Sequence, residues 1–203
     1  FDAILSASPA YNKPSQEGIF QHYSLLAKHS PVPIILYNVP GRTASNMTAQ
    51  TTLRLANTFD NIVAIKEASG NMMQSMELVK NNTRTDFAIL SGDDQLSLAQ
   101  IAVGFSGVIS VVGNAFPKQF GLVVRQALAG NFKMARYSHY ELLEMIHLLF
   151  ADGNPGGVKA VLHELGLIYE ELRLPLVPIN SIVKSKIIKQ ILLMNTHSAI
   201  SIH

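Results

Sequence analysis

The chain has 203 residues, of which 48% are hydrophobic and 15% charged, and its formal net charge is +2. This composition predicts a sizeable globular core, while the small charge and the lack of a dense Lys and Arg run argue against nucleic-acid binding. No apolar stretch reaches the roughly 18 residues of a membrane span, and the absence of cysteine excludes thiolate chemistry and suits the cytoplasm.

Short apolar runs alternate with longer helical patterns in the first part of the chain. The predicted strands are Ala3–Ser8, Pro33–Tyr37, Ile62–Lys66, Phe87–Ser91 and Gly107–Val111. The predicted helices between them are Gln16–Lys28, Thr48–Asn57, Met72–Lys80 and Gln95–Val103. Strand starts about 20 to 30 residues apart match the size of one βα unit, so the pattern predicts parallel strands with helices outside.

The pattern changes after the fifth strand, where only helices are predicted. They are Pro117–Leu128, Phe132–Phe150, Gly157–Leu165 and Ile182–Leu193. The sequence therefore predicts a βα region over residues 1–130 and a helical extension over residues 131–203. The βα units fit either an open doubly wound sheet or the last five units of a (β/α)8 barrel. Neither G-x-G-x-x-G nor a Walker loop follows a strand, which weakens the nucleotide-binding version.

Lys66 ends the apolar run that begins at Ile62. The carboxyl end of a buried parallel strand is where α/β proteins carry their chemistry. An ammonium that loses hydration gives up its proton more readily, and the free amine forms Schiff bases with carbonyl substrates. The alternative is a lysine that leaves the strand and extends to solvent.

Polar residues at the neighbouring strand ends favour the catalytic interpretation. Tyr37 ends the second strand and can shift protons without adding a fixed charge. Tyr11 follows the first strand and could continue a proton relay, while Arg42 could hold a carboxylate in a bidentate fork. Each alone has a structural explanation, but their joint placement with Lys66 predicts a keto-acid site.

The carboxyl ends of the predicted strands form one rim of the sheet, and backbone groups near the fourth and fifth strand ends also belong to it. Gly92 and Ile109 offer main-chain groups close to a small ligand. Asp93 and Asp94 could hold a metal or cap the helix that follows, and we favour the cap.

Two weaker features lie in the helical part. His139 and His147 share one predicted helix, where solvated positions explain both. The amphipathic segment Ile182–Leu193 could lie on a membrane surface, but docking on the domain is the favoured interpretation. No histidine spacing suggests a metal site.

Five motifs in order make the chain similar to the dihydrodipicolinate synthase family. They are Tyr-Asn-x-Pro-Ser-Gln-Glu-Gly at 11–18, Tyr-Asn-Val-Pro-Gly-Arg-Thr at 37–43, Ile-Lys-Glu-Ala-Ser-Gly at 65–70, Ser-Gly-Asp-Asp at 91–94 and Gly-Val-Ile-Ser-Val at 107–111. The resemblance extends to about residue 178. It implies a (β/α)8 TIM barrel, represented here by βα units 4–8, with a C-terminal helical extension.

The resemblance also implies an activity and roles for the rim residues. Family members condense pyruvate with aspartate semialdehyde on the route to lysine, as homo-oligomers (dimers or tetramers) without a cofactor beyond the lysine imine. Lys66 matches the Schiff-base lysine and Tyr37 the proton donor and acceptor. Tyr11 matches the relay tyrosine that reaches into a neighbouring subunit's site. Arg42 matches the arginine that receives the semialdehyde carboxylate, and Ile109 the residue whose backbone contacts pyruvate.

Two departures from the family keep alternatives open. The Gly-Thr-Thr-Gly-Glu loop is not in the sequence, so we expect three βα units to precede Phe1. Ala10 stands where the family has an aromatic residue of its lysine-inhibition site. The alternatives are a sister pyruvate aldolase acting on a sugar acid and a truncated, inactive barrel fragment.

Overall fold

The computed structural model describes the backbone of residues 1–200 and the side chains of residues 1–194. Five strands form one parallel sheet in chain order. They are β1 (Ile4–Ala7), β2 (Ile34–Asn38), β3 (Ile62–Glu67), β4 (Ala88–Ser91) and β5 (Gly107–Val108). The predicted parallel α/β architecture is therefore confirmed.

Helices connect the strands and fill the second part of the chain. They are α1 (Gln16–His29), α2 (Pro40–Thr43), α3 (Ala49–Thr58), α4 (Met72–Asn81), α5 (Ser97–Ala102), α6 (Pro117–Leu128), α7 (Phe132–Phe150), α8 (Gly156–Glu164) and α9 (Ser181–Ile200). Among the residues described, no helix is long and apolar enough to cross a membrane.

The chain forms two compact units, Phe1–Ile109 and Ser110–His203. The first holds the sheet and helices α1 to α5. Its core is built by strand side chains such as Ile34, Leu36 and Ile65, each with no exposed surface. Helix α1 begins at a side-chain cap. The Ser15 hydroxyl accepts a hydrogen bond from the amide of Gly18, which is a typical N-cap.

Three local details differ from the sequence predictions. β5 is shorter than the predicted Gly107–Val111, because the Ser110 hydroxyl accepts from the Gly113 amide and turns the chain. Helix α5 starts later than predicted, because the Asp93 carboxylate accepts from the amides of Gln95 and Leu96 and forms a turn first. The one-turn helix α2 was not predicted.

The second unit consists of helices, and α7 packs on α6, α8 and α9. The prediction for His139 is wrong: it is 4% exposed rather than solvated. Helical periodicity explains this, because His139 shares a face with the buried Leu142 and Ile146. His147 is exposed, as predicted.

The last helix, α9, docks within the second unit as predicted. Ile187 is fully buried and Ile191 is 8% exposed, and the helix packs on α7 and α8. The apolar face of the predicted segment Ile182–Leu193 is thus used in packing.

Candidate active site

The ends of β2 and β3 bring Tyr37 and Lys66 together. The two residues are direct partners in the parallel register of these strands, so their side chains leave the same face of the sheet. The Lys66 Nζ atom lies 4.3 Å from the centroid of the Tyr37 ring. Both side chains are partly exposed, so an amine and a phenol meet where a small carbonyl compound has access.

Gly92, just after β4, leaves the space that the Lys66 side chain occupies. A Cβ atom at this position would lie 2.9 Å from both Cγ and Cε of Lys66 and 2.7 Å from Cβ of Ala68. Real Cβ atoms essentially never come this close. The amide of Gly92 donates to the carbonyl of Glu67 at 2.8 Å, which holds the glycine against the end of β3. Gly92 therefore shapes the path of the lysine.

Ile109 lies beside this glycine through the β4–β5 pairing. Its amide donates to the carbonyl of Ser91 at 2.8 Å, and Ser91 immediately precedes Gly92. Because the strands lie in chain order, the candidate residues follow one another along the rim, from the end of β2 through β3 and β4 to Ile109 after β5.

Arg42 and Tyr11 occupy the loops that follow β2 and β1. Arg42 is exposed in the one-turn helix α2. Tyr11 is 92% exposed and has a φ of +65°, a left-handed conformation that is uncommon for a bulky residue. The structure thus places Lys66 and Tyr37 in contact and leaves Tyr11 pointing into solvent in the single chain.

A buried polar network that the sequence analysis missed lies next to this pair. Asn38 and Glu67, the residues after Tyr37 and Lys66, are fully buried. The Asn38 amide donates to the Glu67 carboxylate at 3.0 Å, as does the amide of Gln74 from α4. Successive strand residues point to opposite faces, so this network lies on the other side of the sheet from the amine and the phenol.

One sequence signal could have revealed the network. Asn38 and Glu67 occupy, in two neighbouring strands, the position directly after the predicted reactive residue. A buried polar side chain needs hydrogen-bond partners, so two such residues in matching positions predict a pair. Gln74, in contrast, comes from α4, and Asn46, which accepts from the Asn38 amide at 2.9 Å, comes from the loop before α3. The local sequence pattern does not specify how that helix and that loop dock.

Asp93, two residues after β4, has hydrogen-bond partners in its own loop. Its carboxylate accepts from the amides of Gln95 and Leu96 in the turn before α5. Leu96 is the N-cap of α5 and no side chain in the described part of the chain caps that helix, so the predicted helix cap is wrong. Among the residues that the structure describes, no three His, Asp or Glu side chains cluster as metal ligands. The chemistry that this rim offers is that of an amine, a phenol and exposed guanidinium.

Comparison with known proteins agrees with this arrangement. The profile of the Dihydrodipicolinate synthetase family matches residues 1–192. The chain is 53% identical over 186 residues to 4-hydroxy-tetrahydrodipicolinate synthase of Parabacteroides distasonis, covering 92% of this chain and 62% of that protein. It is 56% identical over 177 residues to the synthase of Phocaeicola vulgatus, covering 87% of this chain and 59% of that protein.

Solved structures show the same similarity in three dimensions. The dihydrodipicolinate synthase of Thermotoga maritima superposes with a TM-score of 0.93 at 37% identity, covering 96% of this chain and 66% of that one. The chain spans about three fifths of the length of the two curated relatives described above. The family match along nearly its whole length and the half-identical relatives show that the chain belongs to the Dihydrodipicolinate synthetase family.

Proposed function

We propose that this chain carries the Schiff-base machinery of a 4-hydroxy-tetrahydrodipicolinate synthase, a lyase of the diaminopimelate route to lysine. The observation that supports the proposal is the contact between the Lys66 amine and the Tyr37 ring at the ends of two neighbouring strands. The chain that carries this contact belongs to the family. The substrates are pyruvate and aspartate semialdehyde, and no cofactor is needed beyond the imine.

Lys66 is the nucleophile of the proposed reaction. Its amine attacks C2 of pyruvate to form a carbinolamine, and loss of the hydroxyl group as water leaves an imine. Removal of a C3 proton gives an enamine, whose carbon forms the new bond to the aldehyde carbon of the second substrate. The aldehyde oxygen takes up a proton and becomes the 4-hydroxyl group. The amino group of the semialdehyde moiety then attacks the C2 imine carbon and displaces the Lys66 amine, which closes the ring of the product and restores the free lysine.

Three neighbouring groups have supporting roles in this proposal. The Tyr37 phenol protonates the departing hydroxyl and recovers a proton in later steps. The exposed Arg42 offers paired N–H donors to the semialdehyde carboxylate. The main chain at Gly92 and Ile109 lines the position of pyruvate, next to the lysine.

The parallel sheet supports a placement within a larger barrel. We assign β1 to β5 to strands 4–8 of a (β/α)8 barrel, with residues 1–130 as the barrel portion and 131–203 as the helical extension. The TM-score of 0.93 to a longer synthase supports this assignment. In the described residues, β1 and β5 each pair with a single strand, as expected when neighbouring strands lie elsewhere in the barrel.

We propose that the protein acts as a homo-oligomer, a dimer or tetramer, in the cytoplasm; Tyr11 supports the oligomer. Its side chain is 92% exposed in a left-handed backbone conformation. Strained, exposed residues often mark functional positions, and a relay tyrosine reaching a neighbouring subunit's site would have this geometry in a single chain.

Borohydride trapping tests the nucleophile. Incubation with pyruvate and sodium borohydride should place a reduced adduct on the peptide that contains Lys66, detected by mass spectrometry. Lys66→Arg should abolish the adduct because guanidinium does not form imines under these conditions. Lys80→Arg, at an exposed position on α4, is the matched control and should leave it unchanged.

The results also separate the alternatives. An unmodified Lys66 peptide in the wild-type chain would contradict the proposed mechanism and favour an inactive fragment. If the adduct forms, competition between aspartate semialdehyde and sugar-acid aldehydes identifies the second substrate. Preference for a sugar acid would assign the chain to a sister aldolase and remove the role proposed for Arg42.

A further inference from the structure

Glu67 is a buried carboxylate that the proposed reaction does not use. It is fully buried. Its Oε1 accepts from the Ser69 amide at 2.6 Å, and its Oε2 accepts from the side-chain amides of Asn38 and Gln74, each at 3.0 Å. All three partners are neutral N–H donors. Burial of a carboxylate is unfavourable unless its oxygens are hydrogen-bonded, and a hydrophobic pair would join two strands with a smaller penalty.

The network extends from Glu67 into the loop before α3. Asn38 accepts from the Met47 amide at 2.9 Å and donates to Oδ1 of Asn46 at 2.9 Å. Gln74 donates to the Met47 carbonyl at 3.1 Å and accepts from Asn46 at 2.8 Å. Side chains from β2, β3, α4 and one loop are thus joined, and changing one member alters several hydrogen bonds at once.

Main-chain hydrogen bonds connect this network to the reactive pair. The Ala68 amide donates to the Asn38 carbonyl at 2.9 Å, and the Gly92 amide donates to the Glu67 carbonyl at 2.8 Å. Gly92 in turn shapes the space around Lys66. The carbonyl groups of Asn38 and Glu67 therefore hold the backbone at Ala68 and at Gly92, the two segments next to the Lys66 side chain.

We propose that Glu67 is a positioning residue for the Lys66–Tyr37 pair. Through Asn38 it holds the ends of β2 and β3 in the register that sets the amine against the phenol. This inference rests on the proposed function for its catalytic consequence, whereas its structural consequence can be measured without turnover. Reactive groups displaced by about 1 Å can lose 100-fold in rate, so a residue that never contacts substrate can control the reaction.

Exchange of donor and acceptor tests the pairing directly. Glu67→Gln replaces one accepting oxygen with an NH2 group, which then faces the N–H donors of Asn38, Gln74 or Ser69. Asn38→Asp removes a donor and places a second carboxylate against that of Glu67. The double variant N38D/E67Q restores one donor–acceptor pair. We expect each single variant to slow borohydride trapping at saturating pyruvate by about tenfold or more, with the half-saturating pyruvate concentration changed less than about threefold. The double variant should react faster than either single variant.

A stability control separates positioning from general destabilisation. Leu55 is fully buried in α3, so Leu55→Ala lowers the melting temperature without removing any hydrogen bond of the network. We expect it to trap pyruvate at the wild-type rate when assayed well below its melting temperature. Equal losses in L55A and E67Q, or wild-type rates in both single network variants, would overturn the inference.

Amide hydrogen exchange supplies a readout that does not depend on activity. In E67Q, exchange should accelerate at the amides of Ser69, Ala68 and Gly92, and the double variant should restore part of the protection. If the wild-type chain forms no adduct, the proposed function fails, but exchange still decides the structural claim. Unchanged protection at Ala68 and Gly92 in E67Q would refute the positioning role.

Discussion

The Nζ atom of Lys66 lies 4.3 Å from the centroid of the Tyr37 ring. This contact follows from strand pairing, because the two residues are register partners in β2 and β3. A cation near a ring face gains about 0.5–1 kcal/mol at an exposed site. The contact therefore orients the amine beside the phenolic group that the proposed mechanism needs.

Removal of the phenolic hydroxyl tests the role of Tyr37. Tyr37→Phe keeps the ring beside Lys66 and removes only the proton donor and acceptor. We expect the rate of borohydride-trapped adduct formation to fall about 100-fold, the typical contribution of general acid–base catalysis. Tyr140→Phe, at a position 63% exposed in α7, is the control and should keep the wild-type rate. An unchanged rate in Y37F would assign proton transfer to another group.

A methyl group at Gly92 should displace the lysine. Gly92→Ala brings a Cβ atom to 2.9 Å from Lys66 Cε and Cγ, so the side chain must move away from its present path. We expect adduct formation to fall by about tenfold or more, since small displacements of reacting groups lower rates strongly. Gly41→Ala makes the same change where no heavy atom lies within 4 Å of the new carbon. Equal rates in the two variants would show that the lysine tolerates the methyl group.

The buried phenol of Tyr23 should make stability depend on alkaline pH. Its hydroxyl donates to the carbonyl of Ser6 at 2.7 Å, and burial raises the pKa of Tyr23 above its usual value. The folded state therefore favours the neutral phenol. Its contribution is complete below the unfolded pKa of about 10 and is lost as pH rises through the higher folded pKa.

Urea unfolding of wild type and Tyr23→Phe between about pH 8 and pH 11 measures this effect. We expect the variant to be less stable by about 1 kcal/mol at pH 8, because the hydrogen bond is lost, and the difference to shrink at high pH. Tyr169→Phe, at a position 83% exposed, should show neither effect. A constant difference across the pH range would contradict the assignment.

Gly157 should be intolerant of any side chain. A Cβ atom there would lie 2.2 Å from the carbonyl oxygen of Leu149 and 2.8 Å from its Cα, so α7 and α8 would have to separate. We expect Gly157→Ala to lower the free energy of unfolding by about 3 kcal/mol, at the upper end for overpacking.

The matched control is Gly121→Ala within α6. Its new carbon would meet only the flexible guanidinium of Arg125, at 2.9 Å, which can move. Alanine favours helix over glycine by about 1 kcal/mol, so this variant should be slightly more stable than wild type. Chemical denaturation of both variants gives the comparison, and equal stabilities would refute the proposed helix contact.

The sequence predicted elements best where a periodic signal and a boundary signal coincided. Helix α6 begins at Pro117 and spans the predicted residues, because proline suits a first helical turn. The fifth strand was predicted too long, since Ser110 begins a side-chain turn that competes with pairing. The predicted exposure of His139 was wrong because its position on the apolar face of α7, and not its polarity, determines its burial.

The sequence by itself determined the parallel α/β class, the ends of the first four strands to within one residue and the candidate reactive residues, because alternating runs and strand-terminal polar residues are local properties of the chain. The contact between Lys66 and Tyr37 and the support from Glu67 were decided by the tertiary structure. Register between β2 and β3 sets the first. The second depends on Asn38 and Gln74 meeting one buried carboxylate. Hydrogen bonds between residues distant in sequence form only once the strands and α4 have packed, so no local pattern specifies them.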